Sequence, residues 1–157
     1  MSESLLIVDA DSEQRIAAVR ELFQEYWSSF GFTPCFQGFG EELRSLPGQY
    51  GPPGGRLFLA LWDGDAAGCI ALRRIDENRC EAKRLYVRPK HRGHGIAHAL
   101  MNALIAAGRD GGYREMVGDT MPVMKDALRM YDRMGFERTG PYVPNPTAGA
   151  VFLRLLL

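Results

Sequence analysis

Leu85-Tyr86-Val87-Arg88-Pro89-Lys90-His91-Arg92-Gly93-His94-Gly95-Ile96-Ala97 is the stretch that decides how this chain folds. An apolar strand end meets a proline and a basic, glycine-containing turn follows. From Ile96 apolar residues recur at helical spacing (Ile96, Ala97, Leu100, Met101, Leu104, Ile105) until Gly108–Gly112. A strand, a glycine turn and an immediate helix form an anion cradle. First-turn amides have no intrahelical acceptor, the helix dipole adds partial positive charge, and Gly93, Gly95 and Ala97 let a phosphate reach the backbone. Lys83, Arg84, Arg88, Lys90 and Arg92, with His91 and His94, stand in this region without one acid between Lys83 and His94. The other reading is a solvated basic bend whose glycines serve only the chain reversal. Neither G-x-G-x-x-G nor the P-loop spacing G-x-x-x-x-G-K-[ST] occurs.

Upstream of the turn, Glu81–Val87 reads as a strand; downstream of the helix, Tyr113–Gly118 reads as another. A strand-helix-strand unit over residues 81–118 requires a right-handed crossover and a parallel pair. Before it, Arg56–Trp62 and Ala66–Ile75 flank Asp63-Gly64-Asp65, a hairpin signal, so the sheet is mixed. Leu5–Val8 predicts a first strand, and Ile16, Val19, Leu22, Phe23, Tyr26 and Trp27 a helix capped by Asp11 or Ser12. Phe39–Leu46 adds a short helix, Met124–Met134 a last helix closed by Gly135, and Ala150–Leu156 a final strand. The order is βα(α)βββαβαβ, an α/β (α+β) fold read as one domain over residues 1–157.

Composition limits the function. The 157 residues are 46% hydrophobic and 24% charged, with 19 Lys+Arg against 19 Asp+Glu. No global field is available to hold nucleic acid or an anionic membrane, so neither is expected as a partner. No apolar run approaches the roughly 20 residues of a membrane span, and the N-terminus lacks a basic signal region, so a cytoplasmic protein is expected. Cys35, Cys69 and Cys80 have no CxxC spacing and predict reduced, mostly buried thiols rather than a metal site.

The turn and the last helix resemble the GNAT superfamily of acyl-CoA-dependent N-acetyltransferases. Its signature (Q/R)-x-x-G-x-(G/A) is met by Arg92, Gly95 and Ala97, and KRLYVRPKHRGHGIAHAL looks like its acetyl-CoA motif. RMYDRMGFER, Arg129 to Arg138, resembles its tyrosine motif, with Tyr131 followed by Gly135-Phe136. The element order is similar too, and implies a mixed, mostly antiparallel sheet with helices on both faces. The resemblance implies acetyl-CoA as co-substrate, no metal, a small-molecule primary amine as acceptor, and direct transfer in a ternary complex. A non-catalytic acyl-CoA binding or sensing module on the same fold is the alternative. Monomer and homodimer both remain open. Many family members carry Asn seven residues before the motif tyrosine; here Met124 stands there.

The resemblance also assigns roles. The backbone of Leu85, Tyr86 and Val87 would hold pantetheine and thioester, and Arg92, Gly93, His94, Gly95, Ile96 and Ala97 the pyrophosphate. Tyr131 would stand at the sulfur. A phenol with pKa near ~10 does not readily protonate a thiolate near ~8.5, so a hydrogen bond to departing sulfur is the expected role. The other reading of Tyr131 is a core residue beside Leu128 and Met134. Simple alternation puts Glu81, Lys83, Leu85 and Val87 on one face, and Glu81 looks aligned with the base of the family's histone-modifying branch. Glu81 is equally readable as a strand acid paired with Lys83 or Arg114, and Asp119 or water could replace it as base. His91, His94 and His98 read as solvated or phosphate-facing. The acceptor would enter beside Pro47–Gly55 and Gly140–Gly149, where Tyr26, Phe36, Tyr50 and Tyr142 form an aromatic wall or anchor the loops; Phe36 and Tyr142 are the acceptor-side candidates.

Overall fold

The computed structural model describes residues 4–29, 39–120, 125–142 and 150–157. Strand β1 (Leu5–Asp9) leads into helix α1 (Glu13–Ser29) through Ser12, whose Oγ accepts the Arg15 amide at 3.2 Å and caps the helix. α1 buries Val19, Leu22, Phe23 and Trp27 along one stripe. Helix α2 (Phe39–Ser45) adds Leu43 and Phe39, whose ring stacks on Trp27 at 4.0 Å. Strands β2 (Arg56–Trp62) and β3 (Asp65–Arg74) are joined by Asp63 and Gly64, both at positive φ (50° and 88°), as a type I′ turn demands. β4 (Arg79–Val87), α3 (Ile96–Asp110), β5 (Glu115–Thr120), α4 (Lys125–Arg133), β6 (Glu137–Thr139) and β7 (Val151–Leu156) follow.

The strands form one sheet in the order β1-β2-β3-β4-β5-β7-β6, with β4–β5 the parallel pair and the other pairs antiparallel. The expected architecture holds, with one strand added. β6 has three residues, two of them charged, which is too short for any alternation to show in the sequence. On one face α3 buries Leu100, Met101 and Leu104 over Ile70, Leu72, Cys80 and Met116. On the other, α1 and α2 cover Leu57, Leu59, Cys69 and Ala71. Each fully buried large side chain contributes roughly 1.5–3 kcal/mol, so both layers are needed. Cys69 and Cys80 are buried free thiols; burial pushes Cys80 up to about 12 and raises Cys69 as well, which leaves both as packing residues. Cys35 lies outside the described residues. No helix among the described residues is long and apolar enough to cross a membrane.

β4 does not alternate simply. Ala71 pairs with Lys83 and Cys69 with Tyr86, so Ile70 faces two residues, Arg84 and Leu85: a β-bulge. Arg84 sits at φ 61°, a left-handed conformation that costs a non-glycine residue about 1–2 kcal/mol. Its side chain holds it there. Nε and Nη2 donate to Glu42 of α2 at 2.9 and 3.0 Å, and the guanidinium lies 5.3 and 5.2 Å from the ring centroids of Trp27 and Phe39. The inserted residue displaces the alternation beyond it. Lys83 and Tyr86 pair with the α1/α2-facing Ala71 and Cys69, and Glu81 shares that side, whereas Leu85 and Val87 pack with Ala82 under α3. The expectation that Glu81, Lys83, Leu85 and Val87 share a face is therefore corrected.

The bulge also brings β4 onto Gly68, where a Cβ would lie 2.6 Å from the Tyr86 carbonyl oxygen. Gly68→Ala should destabilise the protein by about 2 kcal/mol, a fall in Tm of roughly 4–8 °C by thermal denaturation.

Beyond the pair Ala82–Gly118 the parallel strands separate, although β4 continues to Val87 and β5 to Thr120. The Arg88 amide donates to Ala67 of β3 at 2.8 Å. By strand alternation the amides of Leu85 and Val87 point the other way, into the gap left by β5.

Candidate active site

A cavity of ≈ 690 Å³ occupies this fork, within the size range of small-molecule sites. Its walls come from both layers. Ile96, Ala97, Met130 and Tyr131 contribute from α3 and α4, Tyr26 and Ser29 from α1, and Lys83, Asp119 and Thr120 from the separating strands. Leu85, Tyr86, Val87, Arg92, Gly93, Gly95, Ile96 and Ala97 all line it, which brings together all but one of the residues expected to hold the cofactor. The exception is His94, whose ring stacks on Trp62 of β2 with centroids 4.6 Å apart.

The turn is built from backbone. Pro89–His91 form a single 3₁₀ turn, and Gly93 and Gly95 take φ 87° and 76°. Gly95 is the N-cap of α3 and supplies no side-chain cap, so the amides of Ile96, Ala97 and His98 are without an intrahelical acceptor. Arg92 is fixed across the turn: its Nε donates to the Val87 carbonyl at 2.9 Å, with the guanidinium 5.9 Å from the Tyr86 centroid.

The basic run around the turn is mostly used inside the protein. Lys83 lies beside Glu81, Arg84 binds Glu42, and Arg88 binds Glu21 and Glu25 of α1 at 3.2 and 2.7 Å. Of the expected patch of five cations, Arg84 and Arg88 are spent fastening β4 to its surroundings and Lys90 lies off the cavity wall, which leaves Lys83 and Arg92 to it. α4 supplies replacements that the sequence reading missed: Lys125, Arg129 and Arg133, at i, i+4 and i+8, line the same cavity. Their spacing is legible in the sequence, but the direction of that stripe depends on how α4 docks. His91 is buried rather than solvated, and its Nε2 has no partner among the described residues.

Glu81 is fully buried and does not line the cavity. One carboxylate oxygen accepts from Arg73 Nε; the other accepts from the Tyr142 hydroxyl at 2.5 Å and lies 3.8 Å from Lys83 Nζ. Tyr142 packs edge-on against Phe152 at 5.5 Å, also away from the cavity wall. Burial, then the Glu81 carboxylate, pushes its phenol well above the ordinary value and keeps it a donor. Tyr50 belongs to the second core rather than to an aromatic wall, being 1% exposed. Phe36 and Met124 lie outside the described residues.

Tyr131 lies on α4 at the cavity wall, edge-on to Phe136 at 5.2 Å. Gly135, at φ 93°, turns the chain so that the Met134 and Phe136 amides donate to the Tyr131 carbonyl and fix the helix end. Burial raises its phenol, with Tyr26 and Asp119 adding to the effect. Tyr26 is itself pushed up to about 12, again mainly by burial. Lys83 is held below the ordinary lysine value by burial and then by Arg84, with Glu81 and Asp119 opposing.

The sequence profile described as the Acetyltransferase (GNAT) family matches residues 16–136. The chain is similar to an uncharacterized N-acetyltransferase of Schizosaccharomyces pombe, 39% identical over 136 residues that cover 85% of this chain and 83% of that protein. In fold it is similar to the crystal structure of an acetyltransferase from Streptococcus agalactiae, with TM-score 0.82, 19% identity and 98% of both chains covered. A GNAT family acetyltransferase from Elizabethkingia anophelis with acetyl-CoA bound is similar at TM-score 0.66 and 19% identity, over 99% of this chain and 98% of that one. The profile takes in both strands of the fork, the glycine turn and the tyrosine helix, and the chain belongs to the GNAT acetyltransferase family.

Proposed function

We propose that this protein is an N-acetyltransferase that moves acetyl from acetyl-CoA directly to a primary amine of a small molecule, both substrates being bound at once, with residues 1–157 acting as one domain. The observation that carries this reading is the cavity through the β4–β5 fork, which has uncapped helix amides, two inward strand amides and Tyr131 on one continuous wall. Acetyl-CoA supplies the activated acyl group as a thioester. The amides of Ile96 and Ala97, with Arg92 and the α4 stripe, suit its phosphates. The amides of Leu85 and Val87 suit pantetheine and the thioester oxygen. A fixed donor aimed at a developing oxyanion is worth roughly 10²–10³ in rate.

Tyr131 acts as a hydrogen-bond donor to departing sulfur. With its phenol raised, proton transfer to a thiolate is uphill by more than the ~1.5 pK units separating the ordinary groups. Tyr131→Phe should lower kcat about ten- to a hundredfold and move the CoA Kd far less, read by CoA release and by calorimetry. Because the phenol stays protonated, kcat/KM should rise with pH as the amine loses its proton, with no falling limb from Tyr131. Asp119, on the cavity wall, takes the amine proton; Glu81, sealed by Arg73 and Tyr142, positions Lys83. Steady-state CoA release across an amine library tests the whole reading. It is overturned if no amine is acetylated, or if calorimetry shows no CoA binding.

A further inference from the structure

The parallel strands last pair at Ala82 and Gly118, so Lys83 and Asp119 are the first residues past the split, one on each side. Both line the cavity, and one step beyond paired positions they share a side of the sheet, that of α1. Lys83 is largely buried, its side chain 17% exposed. Among the described residues its ammonium makes no hydrogen bond. Its ionic neighbour Glu81 is 3.8 Å away, with both oxygens already accepting from Arg73 and Tyr142. Arg73 and Glu81 form a pair behind the wall, and Lys83 and Asp119 then stand at the cavity with one charge on each arm of the fork. A buried cation with unfilled donors is costly unless an anion meets it. Arg84, also on the wall, is already committed to Glu42 at 2.9 Å.

Resting on the acetyl-transfer reading above, we infer that the acceptor is an amino acid or amino-acid-like zwitterion, its carboxylate bound by Lys83 and its amine directed to Asp119. Opposite charges on the two arms of the fork match the opposite charges of such a molecule and set the amine beside the strand amides. Lys83 is thereby a specificity-determining residue, and Glu81, clamped by Arg73 and Tyr142, holds it in place.

The test compares amino acids with their own carboxamides as acceptors, for phenylalanine, tyrosine and lysine. The amine of a carboxamide is less basic, so more of it is neutral, and any preference for the acid then reflects the carboxylate. The native protein should favour the acids by roughly 10–100-fold in kcat/KM, the range of one charge-assisted contact. The ratio should fall toward one in Lys83→Met and be kept in Lys83→Arg. Equal use of acids and amides by the native protein, or a preference that survives Lys83→Met, overturns the inference. If Lys83→Met does not fold, the native acid-to-amide ratio decides alone. A second readout needs no chemistry: titration of the same amino acids into protein saturated with CoA. Lys83-dependent binding there without turnover of any amine would sink the acetyl-transfer reading and keep Lys83 as the carboxylate site of an amino-acid-binding cavity. Turnover of amines without preference for acids would do the reverse, and neither binding nor turnover would sink both.

Discussion

Gly95→Asp should raise the Kd for coenzyme A at least about a hundredfold and leave folding intact. Gly95 sits at φ 76° at the head of α3, where aspartate is among the few residues that tolerate the left-handed backbone. The strain of about 1 kcal/mol is largely offset, because a carboxylate at a helix N-terminus gains from the dipole and from amides that are otherwise uncapped. The same carboxylate then stands where a diphosphate must bind. Two unit charges about 4 Å apart repel by roughly 4 kcal/mol at an effective dielectric of ~20, on the order of 10³ in affinity. Calorimetry with CoA reads the binding, and a thermal melt within a few degrees of native reads the fold. Gly95→Ala separates the terms by adding strain without charge, and should lose far less. If Gly95→Asp binds CoA within threefold of native, the phosphates do not lie on this turn.

Glu81→Ala should destabilise the protein by about 3–5 kcal/mol, a loss of roughly 10 °C or more in Tm. The side chain is fully buried, and its removal leaves Arg73 and Lys83 close together without the anion between them, with the Tyr142 hydroxyl unpartnered. Glu81→Gln, which keeps an acceptor and loses the charge, should fall between native and Ala. Tyr142→Phe should cost only about 1–2 kcal/mol, the value of a single buried hydrogen bond. The order of the three by chemical denaturation is the check. A cost below 1 kcal/mol for Glu81→Ala would mean that the cations relax into solvent.

Much of this arrangement is readable from the sequence because several of its signals are local. The Asp63-Gly64 turn, the helix that starts after Gly95 and the Tyr131-Gly135-Phe136 run depend on neighbours within a few positions, and all stand where expected. Partner choice is not local. Nothing near Arg84 or Arg88 in sequence shows that Glu42 and Glu25 will take up their charges, since both acids come from helices far along the chain. The alternation argument for Glu81 fails for a related reason. It assumes a regular pleat, and the bulge at Arg84 is fixed by contacts with α2 rather than by any turn residue in β4. Of the two readings of His91, the solvated one fails because the ring is buried, and the phosphate-facing one is compatible with its place on the cavity wall.

Struck out of the chain, Arg84 would leave Lys83, Leu85, Tyr86 and Val87 on the sides they already occupy, in an unbroken pleat. The residue is therefore surplus to inside-outside order; what it adds is contour. A ribbon with one edge a residue longer than the other has to curve, and β4 curves away from β5 just past the last position where the two still pair. The width of the opening that admits a substrate is then an arc-length difference, set by one insertion and pinned by one ion pair to Glu42. A change at Glu42, which does not line the cavity, would reach it through Arg84, which does, and would alter the span of the gap.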